Sequence, residues 1–110
     1  MTQSDQPVGE EFVVRRVDSG REVLMELTGE LDVAGIDRVS EAAGQLPPHG
    51  HVTIDLSQLS FMDSSGIRVL MSLDLRSRAE QWTMTLRAPQ PQVLNALKLC
   101  GFEDRFEITP

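Results

Sequence analysis

Apolar and polar residues change rhythm several times along this chain of 110 residues, and each change marks an element. Residues 1–10 are polar, include Pro7 and Gly9 and show no period, which predicts a flexible lead-in. From Phe12 onward, Phe12–Val17 and Glu22–Thr28 are rich in β-formers, and Asp18-Ser19-Gly20-Arg21 between them suits a turn. A β-hairpin is predicted there. After Asp32 the spacing changes to threes and fours, placing Ile36, Val39, Ala43 and Leu46 on one face of a helix that Asp32 can cap. Pro47, Pro48 and Gly50 stop it.

Val52, Ile54 and Leu56 then alternate with His51, Thr53 and Asp55 as a strand with one apolar face, which leads into a connection over 57–62. A second helix from Ser64 to about Ala79 carries Ile67, Val69, Leu70, Met71, Leu73 and Leu75 around roughly two-thirds of its circumference, interrupted by Asp74 and Arg78. Such a helix must be covered on more than one side. Trp82, Met84 and Leu86 alternate as a further strand. Pro89 and Pro91 introduce a third helix bearing Val93, Leu94, Leu97 and Cys100, closed by Gly101, and Phe106 and Ile108 form a short last strand.

The predicted order is β-β-α-β-α-β-α-β. A hairpin followed by alternating units specifies an α/β fold with a mixed sheet, parallel in its later part, and helices packed on it. The length suits one hydrophobic core, and no repeat or linker divides residues 11–110, so a single domain is expected over that span.

Composition narrows the choice of partners. Acids outnumber bases 17 to 10, for a net charge of −7, with 10 acids and 4 bases in residues 1–50 against 7 and 6 in residues 51–110. Nucleic acid and anionic membranes are bound by basic patches, so neither is expected as a partner. Cys100 is the sole cysteine, which excludes an intrachain disulfide and a cysteine-based zinc site built from this chain; it reads as a small buried residue at a helix end. No apolar run approaches ~20 residues, and the N-terminus lacks the basic start and apolar stretch of a signal peptide, so a cytoplasmic protein is expected.

Catalytic patterns are lacking. The only histidines, His49 and His51, flank Gly50 and read as turn residues, and Met62 stands where a nucleophile elbow around Ser64 requires glycine. No glycine-rich phosphate loop occurs, and neither enzymatic activity nor a cofactor is expected.

One segment, Asp55 to Ile67, concentrates Asp, Ser and Gly where a loop meets a largely buried helix. Two roles suit Asp63-Ser64-Ser65-Gly66. The first is capping, in which Asp and Ser satisfy orphan amides and Gly66 permits close packing. The second is modification: a phosphorylated serine at a helix start adds about 1.5 to 2 negative charges to the surface and could break an interface without unfolding the domain.

Gly29-Glu30-Leu31-Asp32 after a strand, then Asp55-Leu56, then Phe61-Met62-Asp63-Ser64-Ser65-Gly66, resembles the bacterial anti-sigma factor antagonists of the STAS family over about Phe12 to Ile108. The resemblance implies a cytoplasmic regulator of transcription and stress response that binds an anti-sigma factor which is also a serine kinase of the histidine-kinase-like ATPase fold. Binding frees a sigma factor; phosphorylation of the first serine after the motif aspartate, Ser64, releases the antagonist; and a PP2C-type phosphatase restores it. Ser65 is the alternative target. Asp32, Glu30, Asp63, Ser65, Gly66 and Arg68 are then the expected partner-binding residues, on a monomer or weak dimer.

Two positions depart from the family pattern. Arg68 replaces a second small residue two positions after Gly66, a change expected to bear on which anti-sigma partner is accepted. Gly35, expected inside the first helix, costs ~1 kcal/mol relative to alanine and either softens the segment or allows a close approach. The rival reading is a STAS module that does not switch, such as a scaffold, a lipid-transport accessory or a ligand sensor.

Overall fold

A computed structural model describes residues 11–110; the expected lead-in at 1–10 lies outside the described residues. Strands β1 (Val13–Ser19) and β2 (Glu22–Leu31) pair antiparallel, with Ser19 opposite Glu22 across a two-residue turn in which Gly20 takes a φ of 61°. Strands β3 (His51–Met62), β4 (Thr83–Arg87) and β5 (Glu107–Thr109) each run parallel to the strand before, giving a five-stranded sheet in the order β1-β2-β3-β4-β5. Helices α1 (Ile36–Ala43), α2 (Ser64–Glu80) and α3 (Pro91–Leu99) make the three parallel crossovers. The predicted element order and mixed sheet are therefore present.

Parallel crossovers are right-handed in nearly all proteins, and here each steps the same way along the sheet, which puts all three helices on one face. Burial agrees with that placement. Val23, Met25, Leu27, Val52, Ile54, Leu56 and Leu86 are buried on the helix side. On the other side Arg15, Glu26, Asp55 and Arg87 stand in one row across four strands, with Arg15–Glu26 at 2.6 Å and Asp55–Arg87 at 2.7 Å.

Strand β3 is longer than its alternation predicted. Instead of ending near Leu56 it continues to Met62, and its buried positions fall at 52, 54, 56, 59 and 62. The two steps of three arise from register shifts against β2, each adding one residue to β3 between pairs Glu26↔Asp55 and Thr28↔Gln58, then between Gly29↔Leu59 and Glu30↔Phe61. Such bulges break a period of two while keeping the apolar face inward. Backbone carbonyls in the bulged stretch find side-chain donors on the entry to α3, where Gln90 donates to the Ser57 carbonyl (2.8 Å) and Gln92 to that of Ser60 (2.6 Å).

Helix α2 buries Ile67, Val69, Leu70 and Leu73 but leaves Leu75 exposed, so coverage is narrower than its apolar arc suggested. Asp74, within that arc, is buried, forms an ion pair with Arg78 (3.3 Å) and accepts from Arg105 Nε (3.2 Å). Arg105 belongs to a 3-10 turn, Glu103–Arg105, so this carboxylate ties α2 to the C-terminal segment. Cys100 proves exposed, contrary to expectation. It lies one residue past α3, where Gly101 at φ 73° turns the chain away; Gly101 N–H donates to Lys98 and Phe102 N–H to Leu97, the bonds of a Schellman motif.

Asp32 caps a 3-10 turn, Val33–Gly35, and α1 itself begins one turn later than the spacing suggested. Gly35 is buried in that turn, where an added Cβ would lie 2.7 Å from Phe12 Cδ2, so close approach accounts for the glycine. At the far end of α1, Arg16 of β1 donates to the carbonyls of Ala42, Ala43 and Gln45 at 2.8–2.9 Å, satisfying groups that the helix leaves free.

The head of α2 is seated by Gly66. A Cβ there would meet Met62 Cγ at 2.4 Å and Leu31 Cγ at 3.0 Å, and both neighbours are buried with nowhere to move. Gly66→Ala should therefore lose up to about 2 kcal/mol, since overpacking costs ~1–3 kcal/mol against a helix-propensity gain of ~1 kcal/mol; urea titration measures the difference. A gain in stability would refute this packing account. For Asp55, burial alone would raise the pKa, but hydrogen bonds from Arg87 and the Ser57 amide outweigh it and hold the carboxyl below the usual range. The folded value being the lower one, this carboxylate stabilises the fold above the ordinary carboxyl pKa of ~4 and ceases to as pH falls through the folded value. Asp55→Asn should cost up to about 1 kcal/mol at neutral pH, because Arg87 is partly exposed, and the gap should close in acid-unfolding curves below about pH 4.

Candidate functional site

The C-terminal ends of β2 and β3 create the site. Leu31 and Met62 are register partners at the last paired position, so the next residues, Asp32 and Asp63, leave the sheet side by side. The Asp63 amide donates to the Leu31 carbonyl at 3.2 Å, locking the two exits together. Both aspartates then do the same work. Asp32 Oδ1 accepts from the Ala34 amide (3.0 Å), and Asp63 Oδ1 from the amides of Ser65 (2.9 Å) and Gly66 (3.3 Å). Each carboxylate caps the turn that follows its strand, as its backbone in the extended region allows.

Ser64 is the first residue of α2 and is exposed, whereas Ser65 is half-buried. Since Asp63 supplies the cap, the Ser64 hydroxyl is not required to hold the helix and projects from a backbone fixed by Ile67 and Leu70 in the core. Gly66 is buried, so it acts by seating the helix rather than by presenting a surface. Glu30 and Arg68 are exposed, and Arg68 makes no hydrogen bond or ion pair among the described residues. Glu30, Asp32, Asp63, Ser64, Ser65 and Arg68 are thus gathered at one end of the sheet, the end where open α/β sheets hold their ligands.

Asp55 does not join them. It sits eight residues before Asp63 on an extended strand, ~25 Å away along the chain, and is occupied by Arg87 and the Ser57 amide. Two apolar residues do join them without having been singled out as surface groups: Val33, 73% exposed in the turn after Asp32, and Phe61, 46% exposed and paired with Glu30. Val33 falls in the stretch expected to be helix and Phe61 in the stretch expected to be loop; the 3-10 turn exposes the first, and the pairing of Phe61 with Glu30 in the extended β3 exposes the second.

His51 lies at the opposite end of β3, its ring nitrogens engaged by Thr83 Oγ1 (2.5 Å) and Thr85 Oγ1 (2.9 Å). Among the described residues, no group of three or more His, Cys, Asp or Glu could hold a metal ion, and no helix is long and apolar enough to cross a membrane.

Residues 14–110 match the family model described as "Mlab, STAS domain". No curated protein matches the chain. Several solved structures share the fold. An anti-sigma factor antagonist from Mycobacterium paratuberculosis is 19% identical, with a TM-score of 0.72 over 91% of this chain and 86% of that one. The anti-sigma factor antagonist SpoIIAA in its unphosphorylated form is 23% identical, TM-score 0.70, covering 91% and 89%; SpoIIAA of Bacillus in the phosphorylated form is 22% identical, TM-score 0.65, covering 91% and 92%. A sulfate transporter family protein from Wolinella succinogenes is 15% identical, TM-score 0.70, covering 84% and 80%. At these identities the structures establish the fold, and the family model spans nearly all of the described chain. With its mixed sheet, its crossovers and its Asp-Ser-Ser-Gly helix head, the chain belongs to the STAS domain family.

Proposed function

We propose that this STAS domain is an anti-sigma factor antagonist switched by phosphorylation at Ser64. It binds an anti-sigma factor that is also a serine kinase of the ATPase fold, thereby frees a sigma factor, and lets go once Ser64 carries phosphate, which a PP2C-type phosphatase removes. The domain is a binding partner and a substrate, not an enzyme. The observation that carries this reading is the division of labour at the head of α2, where Asp63 caps the helix and leaves the Ser64 hydroxyl exposed. The half-buried Ser65 is the poorer target.

The docking surface in this proposal joins Val33 and Phe61, which offer apolar contact, to Glu30, Asp32 and Asp63, which set its charge. Apolar anchors within a charged rim are the usual anatomy of a specific interface. Phosphate at its centre would add about 1.5 to 2 negative charges beside three acids, opposing an acidic or nucleotide-loaded partner. Binding as an unphosphorylated domain and release as a phosphorylated one then follow from charge alone, without refolding.

A second reading, a STAS module that binds without switching, as a scaffold, transport accessory or ligand sensor, is favoured by the description of the matched family model and by the sulfate transporter relative. One experiment separates them. The protein is incubated with ATP and each ATPase-fold anti-sigma factor of the same organism, and phosphate is located by mass spectrometry. Phosphate is expected on Ser64; Ser64→Ala should bind and resist release by ATP, and Ser64→Asp should bind at least about tenfold more weakly, the effect of a buried like-charge mismatch of ~1.4 kcal/mol. If no partner modifies Ser64 and Ser64→Asp binds like the wild type, the non-switching reading stands instead.

A further inference from the structure

We propose that Arg68 is an intramolecular partner for a phosphate on Ser64 and keeps that phosphate fully ionised at neutral pH. This rests on the reading of Ser64 as the modified residue. At the head of α2 the amides of Ser65 and Gly66 are held by Asp63 Oδ1 and that of Ile67 by the Asp63 carbonyl, which leaves a phosphate there only the amide of Ser64 itself. One amide cannot match three phosphate oxygens, so further donors to a phosphate at position 64 must come from side chains. The nearby acids make this pressing, because Glu30 lies in the last pairs of β2, Asp32 and Asp63 follow the ends of β2 and β3, and Asp37 is in the first turn of α1, all of them raising the second pKa of a phosphate placed among them.

Arg68 is the cation placed to respond. It is exposed, lies four residues after Ser64 in the same helix and makes no hydrogen bond or ion pair among the described residues. Positions i and i+4 are neighbours on a helix surface, and side chains lean toward the helix N-terminus, so Arg68 covers the turn that begins with Ser64. An anion placed N-terminal to its cation is also the better of the two orientations. Arg38, the other arginine near this end, is already committed to the Phe12 carbonyl. A guanidinium matches two phosphate oxygens at once, which a lone ammonium does not.

The consequence concerns the size of the switch. A phosphoserine with its second pKa near ~6 carries close to two charges at neutral pH, but acidic neighbours alone would raise that value and leave a mixture of mono- and dianion. Arg68 opposes the shift. It stabilises the dianion, so that modification delivers a complete change of charge.

The test does not depend on any kinase. Phosphoserine is installed at position 64 during translation by stop-codon suppression, and the phosphorus NMR shift is titrated with pH in the wild type, Arg68→Gln and Arg68→Lys. The Gln variant should titrate higher by about 0.3–0.6 pH units, from an i,i+4 ion pair with a doubly charged anion. The Lys variant should recover most of that shift, and salt at about 0.5 M should shrink it. Coincident midpoints for wild type and Arg68→Gln, with the same circular dichroism, would overturn the pairing even if Ser64 is a true kinase target. Conversely, a clear shift upholds the pairing even if no kinase modifies Ser64, an outcome that would sink only the proposed function.

Discussion

The geometry at the C-terminal ends of β2 and β3 depends on how closely the head of α2 approaches the last paired residues of these strands. Leu31 and Met62 fill the space under Gly66, and the Asp63 amide reaches back to the Leu31 carbonyl. A methyl group at position 66 would meet Met62 Cγ at 2.4 Å, so glycine is what lets the helix head sit this close without displacing its neighbours. That contact fixes the direction in which Ser64 points. It also sets the separation of the two caps, since Asp32 and Asp63 follow directly from the same register pair.

The sheet supplies the rigid base for that contact, and its bulges supply the phase. Without the two extra residues in β3, strict alternation from Val52 would turn Leu59 outward, whereas the two added residues place both Leu59 and Met62 inward. The bulges are themselves held: Gln90 and Gln92 bond the Ser57 and Ser60 carbonyls from the α3 side. On the open face, the row Arg15-Glu26-Asp55-Arg87 holds two ion pairs, one from β1 to β2 and one from β3 to β4, which keep that face polar while the helices cover the other.

Much of this was legible because the physics is local. Period changes mark the strands and helices, Pro91 and Gly101 punctuate α3 at the first helical and the left-handed positions, and an aspartate one residue before Ser64 announces a cap. What escaped is set by long-range pairing. Bulges are invisible to a period-two reading, so β3 looked six residues shorter than it is and Phe61 looked like loop. Asp55 seemed to belong to the same chemistry as Asp63 because the two are close in sequence, yet an extended strand separates them and Arg87, far along the chain, claims the first. Cys100 fell on the helix period with Val93 and Leu97, but the Schellman turn ends the helix before that period can bury it. Gly35 has a ready explanation only when Phe12 is seen lying over it.

The helix head answers a general difficulty with modifiable serines. A serine whose side chain caps a helix has its oxygen engaged by the amides it holds, so a group added there replaces the cap itself. Here the amides of Ser65 and Gly66 belong to Asp63, and the chain continues into a core of Ile67, Leu70 and Leu73. Among the described residues, neither the cap nor the Leu31 contact uses the Ser64 oxygen. Under the proposed function, that separation would let a phosphate on Ser64 change the surface charge without drawing on the contacts that hold the fold.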